Sequence, residues 1–338
     1  MFEQVHKLLL FLALLWALAP SSTQAQVINC PSGFASSGDC GVSYGVSGNS
    51  FLLSGSNNSS SPALVGSQVD MIPTGASHAA LSLNYQTPVN DQAFTARFRF
   101  VPNGQNIAFV IQNSNNNPTF DGAEFSAGAG CEAGFFQGYN QSNPPNNVFA
   151  LELDSYSPLT NGGSFTYSSA QIYTSNPFVQ CPCIGGVGVC GTNNSDSGNI
   201  TKISTSPVPL NSPYNFQNAT TGHTYSATVT YNGSNLTLNL YDVTAGGSCP
   251  GTKCFTQTWN NVAIPASVSG NTAWVGFTAA TGLISNSPLY VESFVYNTGT
   301  TTSSLTQTPT PTVTPTHTPT PTPTPTPTVT ATHGRRRR

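Results

Sequence analysis

The feature that most constrains the fold is the alternation of apolar and polar residues along several segments. Apolar residues occupy every second position in segment 94–100 and again in segment 225–231. The dipeptide Asn232-Gly233 then precedes a third alternating segment, 236–240. A period of two places all the apolar side chains on one face of a β-strand, and an Asn-Gly turn between two such strands indicates a hairpin. These segments therefore predict strands with one buried face.

Three further segments, 107–111, 148–153 and 274–277, are apolar at nearly every position. Short runs of this kind are typical of strands that are buried on both faces. No segment has the spacing of an amphipathic helix of three turns. Only 6% of the 338 residues are charged, against about 25% in an average soluble domain, and this composition also argues against a helical bundle. The predicted class is all-β.

The charge distribution excludes one class of partner. Between residues 27 and 300 there are eleven acidic residues and four basic ones, which are Arg97, Arg99, Lys202 and Lys253. A nucleic-acid-binding domain needs a basic surface to neutralise phosphates. We therefore expect no nucleic-acid partner.

The first residues have the pattern of a secretory signal peptide. Lys7 precedes the apolar run Leu8–Ala19, and small residues at Thr23 and Ala25 suit a cleavage site. The alternative is a membrane anchor, but the run is shorter than the ~20 residues that a spanning helix needs. We expect residues 1–25 to be a signal peptide, no transmembrane segment, and a secreted or cell-surface protein.

Residues 26–299 are predicted to form a single domain, followed by a tail at 300–338. From Thr308 the tail consists of Thr-Pro repeats and ends in Arg335–Arg338. Alternating proline favours an extended, semi-rigid spacer without a core. Either the arginines contact an anionic wall or membrane surface, or further sequence follows them.

Eight cysteines, an even number, indicate disulfides in an exported protein. Cys30 with Cys40, and Cys249 with Cys254, would close short local loops. The remaining four are Cys131, Cys181, Cys183 and Cys190. Cys181 and Cys183 are too close in sequence to bridge each other, so each is expected to pair with one of the other two, in an order that the sequence leaves open. A zinc site at 181–190 is the alternative.

Two carboxylates, Glu152 and Asp154, lie two residues apart in segment 149–156. On a strand they point to the same face, where they repel each other unless a cation or a shared proton lies between them. The pair indicates metal binding, acid–base chemistry of the glycosidase type, or a solvated pair at a strand edge.

Four segments, taken in order, resemble the legume-type (L-type) lectins and their bacterial relatives. They are 106–113, the glycine-rich 128–136, 149–156 (Phe-Ala-Leu-Glu-Leu-Asp-Ser-Tyr) and 274–282 (Trp-Val-Gly-Phe-Thr-Ala-Ala-Thr-Gly), and segment 289–296 lies where the last strand of these lectins does. The resemblance implies a two-sheet antiparallel jelly-roll sandwich of the concanavalin type that binds carbohydrate.

The resemblance also implies a metal site. In the family, residues matching Glu152 and Asp154 bind a transition metal, the Asp also binds calcium, and a backbone carbonyl at the position of Tyr156 completes part of the calcium shell. Pro158 falls where the family has a calcium-binding Asn, although Asn161 is a candidate replacement. The second metal-binding Asp and the His have no clear counterpart. We therefore expect no manganese-type site, and calcium is the only candidate cofactor.

The sugar pocket that the resemblance implies is altered in the same way. Gln105 aligns with the family's sugar-binding Asp, the loop at Gly130 would offer a backbone N–H, Tyr156 offers a ring, and Leu283 begins the variable loop 283–286. The carbohydrate-binding candidates are Gln105, Asn106, Gly130, Tyr156, Asn161 and Leu283.

Enzymatic alternatives fit less well. Laminarinase-like glycosidases, which share this sandwich, read Glu-x-Asp-x-x-Glu, whereas Ser157 stands at the last position here. A retaining glycosidase needs two carboxyl groups. The pattern Gly41-Val-Ser43-Tyr-Gly45 matches a nucleophile elbow, but no helix pattern follows it.

The sequence therefore predicts a non-enzymatic, secreted or cell-surface carbohydrate-binding protein whose partners are glycans or polysaccharides. A glycoside hydrolase of the same fold and a non-binding structural surface or filament protein are the alternatives.

Overall fold

A computed structural model describes eleven segments of the chain. They are residues 27–45, 48–56, 63–74, 80–103, 106–113, 147–154, 168–174, 208–210, 222–251, 253–280 and 288–299. The predicted signal peptide and the Thr-Pro tail lie outside them. Within these segments, no helix has the length and apolar character needed to cross a membrane.

Strands make up most of the described residues, and the one helix among them has only four residues, so the predicted all-β class is confirmed. In chain order the strands are β1 (Val27–Cys30), β2 (Val42–Tyr44), β3 (Phe51–Ser56), β4 (Ala63–Val65), β5 (Gln68–Ile72), β6 (Ala80–Tyr85), β7 (Val89–Asn90), β8 (Phe94–Val101), β9 (Asn106–Gln112), β10 (Val148–Asp154), β11 (Ser168–Thr174), β12 (Val208–Leu210), β13 (Tyr225–Tyr231), β14 (Leu236–Asp242), β15 (Phe255–Trp259), β16 (Thr272–Ala280) and β17 (Leu289–Thr298). One short helix, α1 (Ile264–Ser267), precedes β16.

The strands form two sheets. Sheet I has the order β15-β14-β13-β8-β17-β5-β4, and β1 also pairs with β17. Sheet II has the order β12-β11-β10-β9-β16-β6-β3-β2, and β7 pairs with the start of β16. The predicted two-sheet sandwich is confirmed.

One pair of strands departs from the predicted antiparallel arrangement. The three-residue strand β2 runs parallel to β3, with Val42 opposite Phe51 and Tyr44 opposite Leu53. The pair lies at the edge of sheet II. Alternation along a strand reports its buried face and not its direction, so the sequence pattern carried no signal for this pairing.

The hairpin predicted at Asn232-Gly233 joins β13 to β14, with Tyr231 opposite Leu236. The side-chain oxygen of Asn232 accepts hydrogen bonds from the backbone N–H groups of Ser234 (3.0 Å) and Asn235 (2.8 Å). Gly233 has φ +95°, a conformation that residues with a Cβ rarely adopt. The turn residues therefore fix the hairpin that the sequence indicated, with a connection of four residues between the strands.

Aromatic side chains fill the space between the sheets. Phe277 of sheet II lies 5.0 Å from the ring of Phe98 and 4.9 Å from that of Phe294, both of sheet I. Phe109 of sheet II makes further ring contacts with the same two residues, at 6.0 and 6.1 Å. Rings at such distances contribute about 0.5–1.5 kcal/mol per pair beyond the burial of their area. This aromatic layer joins the two sheets.

Two disulfides staple the described segments. Cys30 is bonded to Cys40, and Cys249 to Cys254. Both are the local pairs expected from the sequence. The cysteines at 131–190 lie outside the described residues, so their pairing stays a prediction.

A matched pair of substitutions tests the core. Val275 is fully buried between the sheets, whereas Val65 is 47% exposed on the edge strand β4. We expect Val275→Ala to lower the free energy of unfolding by about 2 kcal/mol, because it loses two buried methyl groups and leaves a cavity. Val65→Ala should change it by less than about 0.5 kcal/mol. Urea unfolding followed by tryptophan fluorescence measures both, and equal losses would contradict the assigned core.

Candidate functional site

The site expected from the sequence begins on β10, which lies between β9 and β11 in sheet II. Leu151 and Leu153 belong to the core between the sheets. Glu152, between them, therefore lies on the outer face of sheet II, and it is only 3% exposed. Asp154 ends the strand, with its backbone opposite Ser169 of β11.

Glu152 belongs to a row of cross-strand neighbours that crosses sheet II. From β3 to β11 the row reads Ser54, Ser82, Thr278, Ala108, Glu152 and Gln171. All six residues are buried. The hydroxyls of Ser54 and Ser82 are 3.0 Å apart. We call these six residues the polar row.

Several polar atoms on this face have no hydrogen-bond partner within the described structure. They are Oγ1 of Thr278, Nε2 of Gln171, and Oδ1 and Nδ2 of Asn84. Asn84 follows Ser82 by two residues on β6 and therefore lies on the same face of the sheet. An unsatisfied buried polar atom costs about 1–3 kcal/mol. Such atoms are retained in native structures where an ordered water, an ion or a ligand completes them. The outer face of sheet II is therefore polar and buried, with donors and acceptors that have no partner among the described residues.

Three strand ends meet at one end of this sheet. Ala280, the last residue of β16, lies opposite Asn106, the first residue of β9. Leu153 of β10 lies opposite Ile107, so Asp154 lies at the same end. Neighbouring strands are about 4.8 Å apart, so the three ends span about 10 Å. The chain segments that leave these ends start side by side.

Most of the predicted sugar-binding residues belong to those segments. Gln105 immediately precedes β9, Tyr156 is two residues beyond β10, and Leu283 is three residues beyond β16. Asn161 lies in the connection between β10 and β11, which starts at the same end. These four residues lie outside the described segments. Of the predicted site residues, Asn106, Glu152 and Asp154 are described, and they lie on two adjacent strands.

Gly130 belongs to a connection at the opposite end of sheet II. Its connection joins the end of β9 to the start of β10, where the N–H of Asn113 donates to the carbonyl of Asn147 at 2.9 Å. That junction is at the end of the sheet opposite to Asn106. Gly130 itself lies outside the described residues.

The two positions directly opposite Glu152 carry no usual transition-metal ligand. The directly opposite positions are Ala108 and Gln171, and neither is a usual ligand of such a metal. Within the described segments, no group of three or more His, Cys, Asp or Glu side chains is close enough to hold a metal ion. The residues predicted to hold calcium, Tyr156 and Asn161, lie outside those segments.

Sequence reasoning missed a polar cluster at the same end of the sandwich. Asn103, in the turn that leads from β8 to Gln105, accepts a hydrogen bond from the N–H of Gly222 (3.0 Å) and donates to the carbonyl of Pro288 (2.6 Å). Nearby, Nδ1 of His223 lies 2.6 Å from Oδ2 of the buried Asp242. Asn103 thus fixes the turn before Gln105. Its φ of +47° is common for Asn in turns, but no sequence pattern indicated its two partners.

Comparisons with known proteins find similarity at the level of structure. No protein-family model and no curated protein matches the sequence. Among solved structures, the seed lectin of Lotus tetragonolobus matches with a TM-score of 0.49 at 14% identity, over 81% of this chain and 99% of that one. A lectin from Bauhinia forficata, in complex with GalNAc, matches with a TM-score of 0.49 at 16% identity, over 82% and 100%. Arcelin-5, a lectin-like defence protein from Phaseolus vulgaris, matches with a TM-score of 0.47 at 14% identity, over 82% and 100%.

The resemblance to L-type lectins is one of fold. The segments 106–113, 149–156 and 274–282, which carry it in the sequence, contain the strands β9, β10 and β16, and these are neighbours in sheet II. The chain is therefore a two-sheet β-sandwich in which the segments that resemble L-type lectins lie on neighbouring strands.

Two carboxyl groups away from this site are buried. Asp91, next to β7, is fully buried, and neither of its oxygens has a hydrogen-bond partner among the described residues. Burial raises its pKa to about 7. Burial also raises the pKa of the hydroxyls of Tyr231 and Tyr296, to which the charge of Asp91 contributes. Asp70 on β5 is 8% exposed, and burial raises its pKa to about 6.

Asp91 should make stability fall as the pH rises. Its folded-state pKa of about 7 exceeds the ordinary value of 3.8, so the folded state retains a proton that the unfolded state has released. The resulting stabilisation is complete below pH 3.8 and is lost as the pH rises towards 7. The free energy of unfolding of Asp91→Asn, relative to that of the wild type, should therefore increase between about pH 4.5 and about pH 7.5, by up to about 1.4 kcal/mol per pH unit.

Urea unfolding at both pH values measures this difference. Asp39→Asn, at an exposed carboxylate, is the matched control and should follow the wild type. A constant difference between Asp91→Asn and the wild type at the two pH values would contradict the raised pKa.

Proposed function

We propose that the protein binds carbohydrate without catalysis, at the end of sheet II where β9, β10 and β16 begin or end. The observation that carries the proposal is the meeting of three strand ends, at Asn106, Asp154 and Ala280. Gln105, Tyr156 and Leu283 are each at most three residues from these ends, and a chain extends only about 3.3–3.6 Å per residue. Residues far apart in sequence are therefore available to one ligand.

The chemistry of these side chains suits a sugar. The amide of Gln105 both donates and accepts hydrogen bonds, as a pair of sugar hydroxyls requires. Tyr156 presents an apolar ring with a polar tip, which suits the mixed apolar and polar surface of a pyranose. Asn103 supports this arrangement because it fixes the turn before Gln105 through Gly222 and Pro288.

A binding role is supported over hydrolysis by the surroundings of Glu152. A retaining glycosidase needs a second carboxyl group about 5–5.5 Å from the first. The positions directly opposite Glu152 carry Ala108 and Gln171. The carboxylate of Glu152 is also buried in the polar row, which suits a structural role beneath the ligand.

The proposal places binding outside the cell. Residues 1–25 would direct export, the domain at 26–299 would bind glycans or polysaccharides, and the Thr/Pro-rich segment 300–338 would extend the domain from its attachment. The disulfides Cys30–Cys40 and Cys249–Cys254 suit an oxidising compartment.

A glycan array with matched variants tests the proposed function. We expect the wild type to retain one class of glycan, and Gln105→Ala or Tyr156→Ala to weaken that binding at least tenfold, because the loss of one well-placed contact costs about 1.4 kcal/mol or more. Gln92→Ala is the control, because this exposed glutamine lies beside the start of β8, at the opposite end of that strand from Gln105. Absence of binding by the wild type would favour the structural alternative, and release of reducing sugar would favour the hydrolase.

The same array, repeated with a chelator, tests whether glycan binding requires calcium. If Asp154, Tyr156 and Asn161 hold the ion, glycan binding should fall with chelator and return when calcium is added. An ion that binds only the folded state adds about 2.7 kcal/mol of stability at a hundredfold excess over its dissociation constant. The melting temperature should therefore fall in parallel, and unchanged binding and melting would remove calcium from the proposal.

A further inference from the structure

Two arginines lie side by side on the outer face of sheet I. Arg97 and Arg99 alternate on β8 with the core residues Phe98 and Phe100, so both guanidinium groups leave the sheet on the side away from the core. Arg97 is half-buried and Arg99 is exposed. Same-face residues on a strand are about 6.6–6.8 Å apart. In the part of the chain that the structure describes, neither guanidinium forms a hydrogen bond or an ion pair.

The residues directly opposite the two arginines are neutral. Arg97 lies between Val295 and Thr228, and the row continues to Asn239. Arg99 lies between Ser293 and Ser226, and that row continues to Tyr241. Neither row contains a carboxylate. We call Arg97, Arg99, Ser226, Thr228, Asn239 and Tyr241 the arginine face.

The acidic residue that borders this face is already engaged. Glu292, at the bulge of β17 next to Ser293, accepts hydrogen bonds through Oε1 from Gln68 (2.7 Å) and from Thr224 (3.3 Å). Glu292 lies beside Arg99, at the boundary of the arginine face, but within the described residues it forms no ion pair with that arginine. Two of the four basic residues between positions 27 and 300 thus stand together without an ion-pair partner among the described residues, although the sequence between these positions contains eleven acidic residues.

We propose that the arginine face binds an anionic polysaccharide, one that carries sulfate or carboxylate groups between neutral hydroxyls. A guanidinium binds either anion through two parallel N–H donors. The hydroxyl of Thr228 and the amide of Asn239, both partly exposed, match sugar hydroxyls, and the ring of Tyr241 offers an apolar surface. This site lies on the other sheet from the proposed carbohydrate site and does not depend on it.

Other occupants fit the arginine face less well. A second copy that docked through this face about a two-fold axis would bring four guanidinium groups together, because the same patch meets itself. A nucleic acid presents a phosphate at every nucleotide, whereas this face offers two cations within a net acidic domain. A polysaccharide with spaced anions and many hydroxyls matches both the charge and the neutral rows.

Binding of the full-length protein to dextran sulfate, with neutral dextran of equal length as the comparison, tests the proposal. We expect Arg97→Gln/Arg99→Gln to weaken dextran sulfate binding at least tenfold and Arg97→Lys/Arg99→Lys to restore part of it. Neutral dextran should not compete. Lys253→Gln is the control, because this lysine donates to the carbonyl of Ala245 in a different loop (3.0 Å).

The C-terminal arginines require their own variant. If replacing Arg335–Arg338 by glutamine abolishes binding while Arg97→Gln/Arg99→Gln does not, the proposal is wrong. If the protein instead prefers phosphatidylserine vesicles and binds them through Arg97 and Arg99, the ligand is a lipid surface and the proposal is also wrong. If the double glutamine variant fails to fold, Thr228→Glu serves instead, and its added charge should weaken binding. Glycan-array binding that depends on Gln105 should be unchanged in all these variants, which separates this proposal from the proposed function.

Discussion

The packing of aromatic rings between the two sheets is the interaction on which the rest of the structure depends. Phe277 of sheet II contacts Phe98 and Phe294 of sheet I at about 5 Å between ring centres. Because side chains alternate along a strand, the direction of these rings fixes which residues of β8 and β16 face outward. Thr278 on one side and Arg97 on the other are placed by the same layer.

The two outer faces that result have different properties. The outer face of sheet II is polar and buried, with Glu152 in a row that includes Thr278 and Gln171. The outer face of sheet I is polar and more accessible, with Arg97 and Arg99 among hydroxyl groups. The two proposed interaction sites therefore lie on different sheets, one at the strand ends of sheet II and one across sheet I.

Local patterns located six of the described strands, whereas contacts between distant segments could not be read from them. Alternation located β8, β13 and β14, apolar runs located β9, β10 and β16, and Asn232-Gly233 located the hairpin. The polar row was not predictable, because it depends on the register of six strands that are far apart in sequence. The burial of Asp91 was missed for the same reason, since nothing in its neighbouring residues indicates that its carboxyl is enclosed. The two partners of Asn103, at Gly222 and Pro288, are also set by tertiary contacts alone.

The central claim is that the ends of β9, β10 and β16 form one glycan-binding site. Hydrogen–deuterium exchange with and without a neutral glycan that the protein retains tests it most directly, because bound ligand slows local opening. The account predicts slower exchange in segments 103–107, 153–160 and 279–288, with unchanged exchange in strands β13 and β14 of sheet I. Protection confined to sheet I, or spread evenly over both sheets, would contradict it.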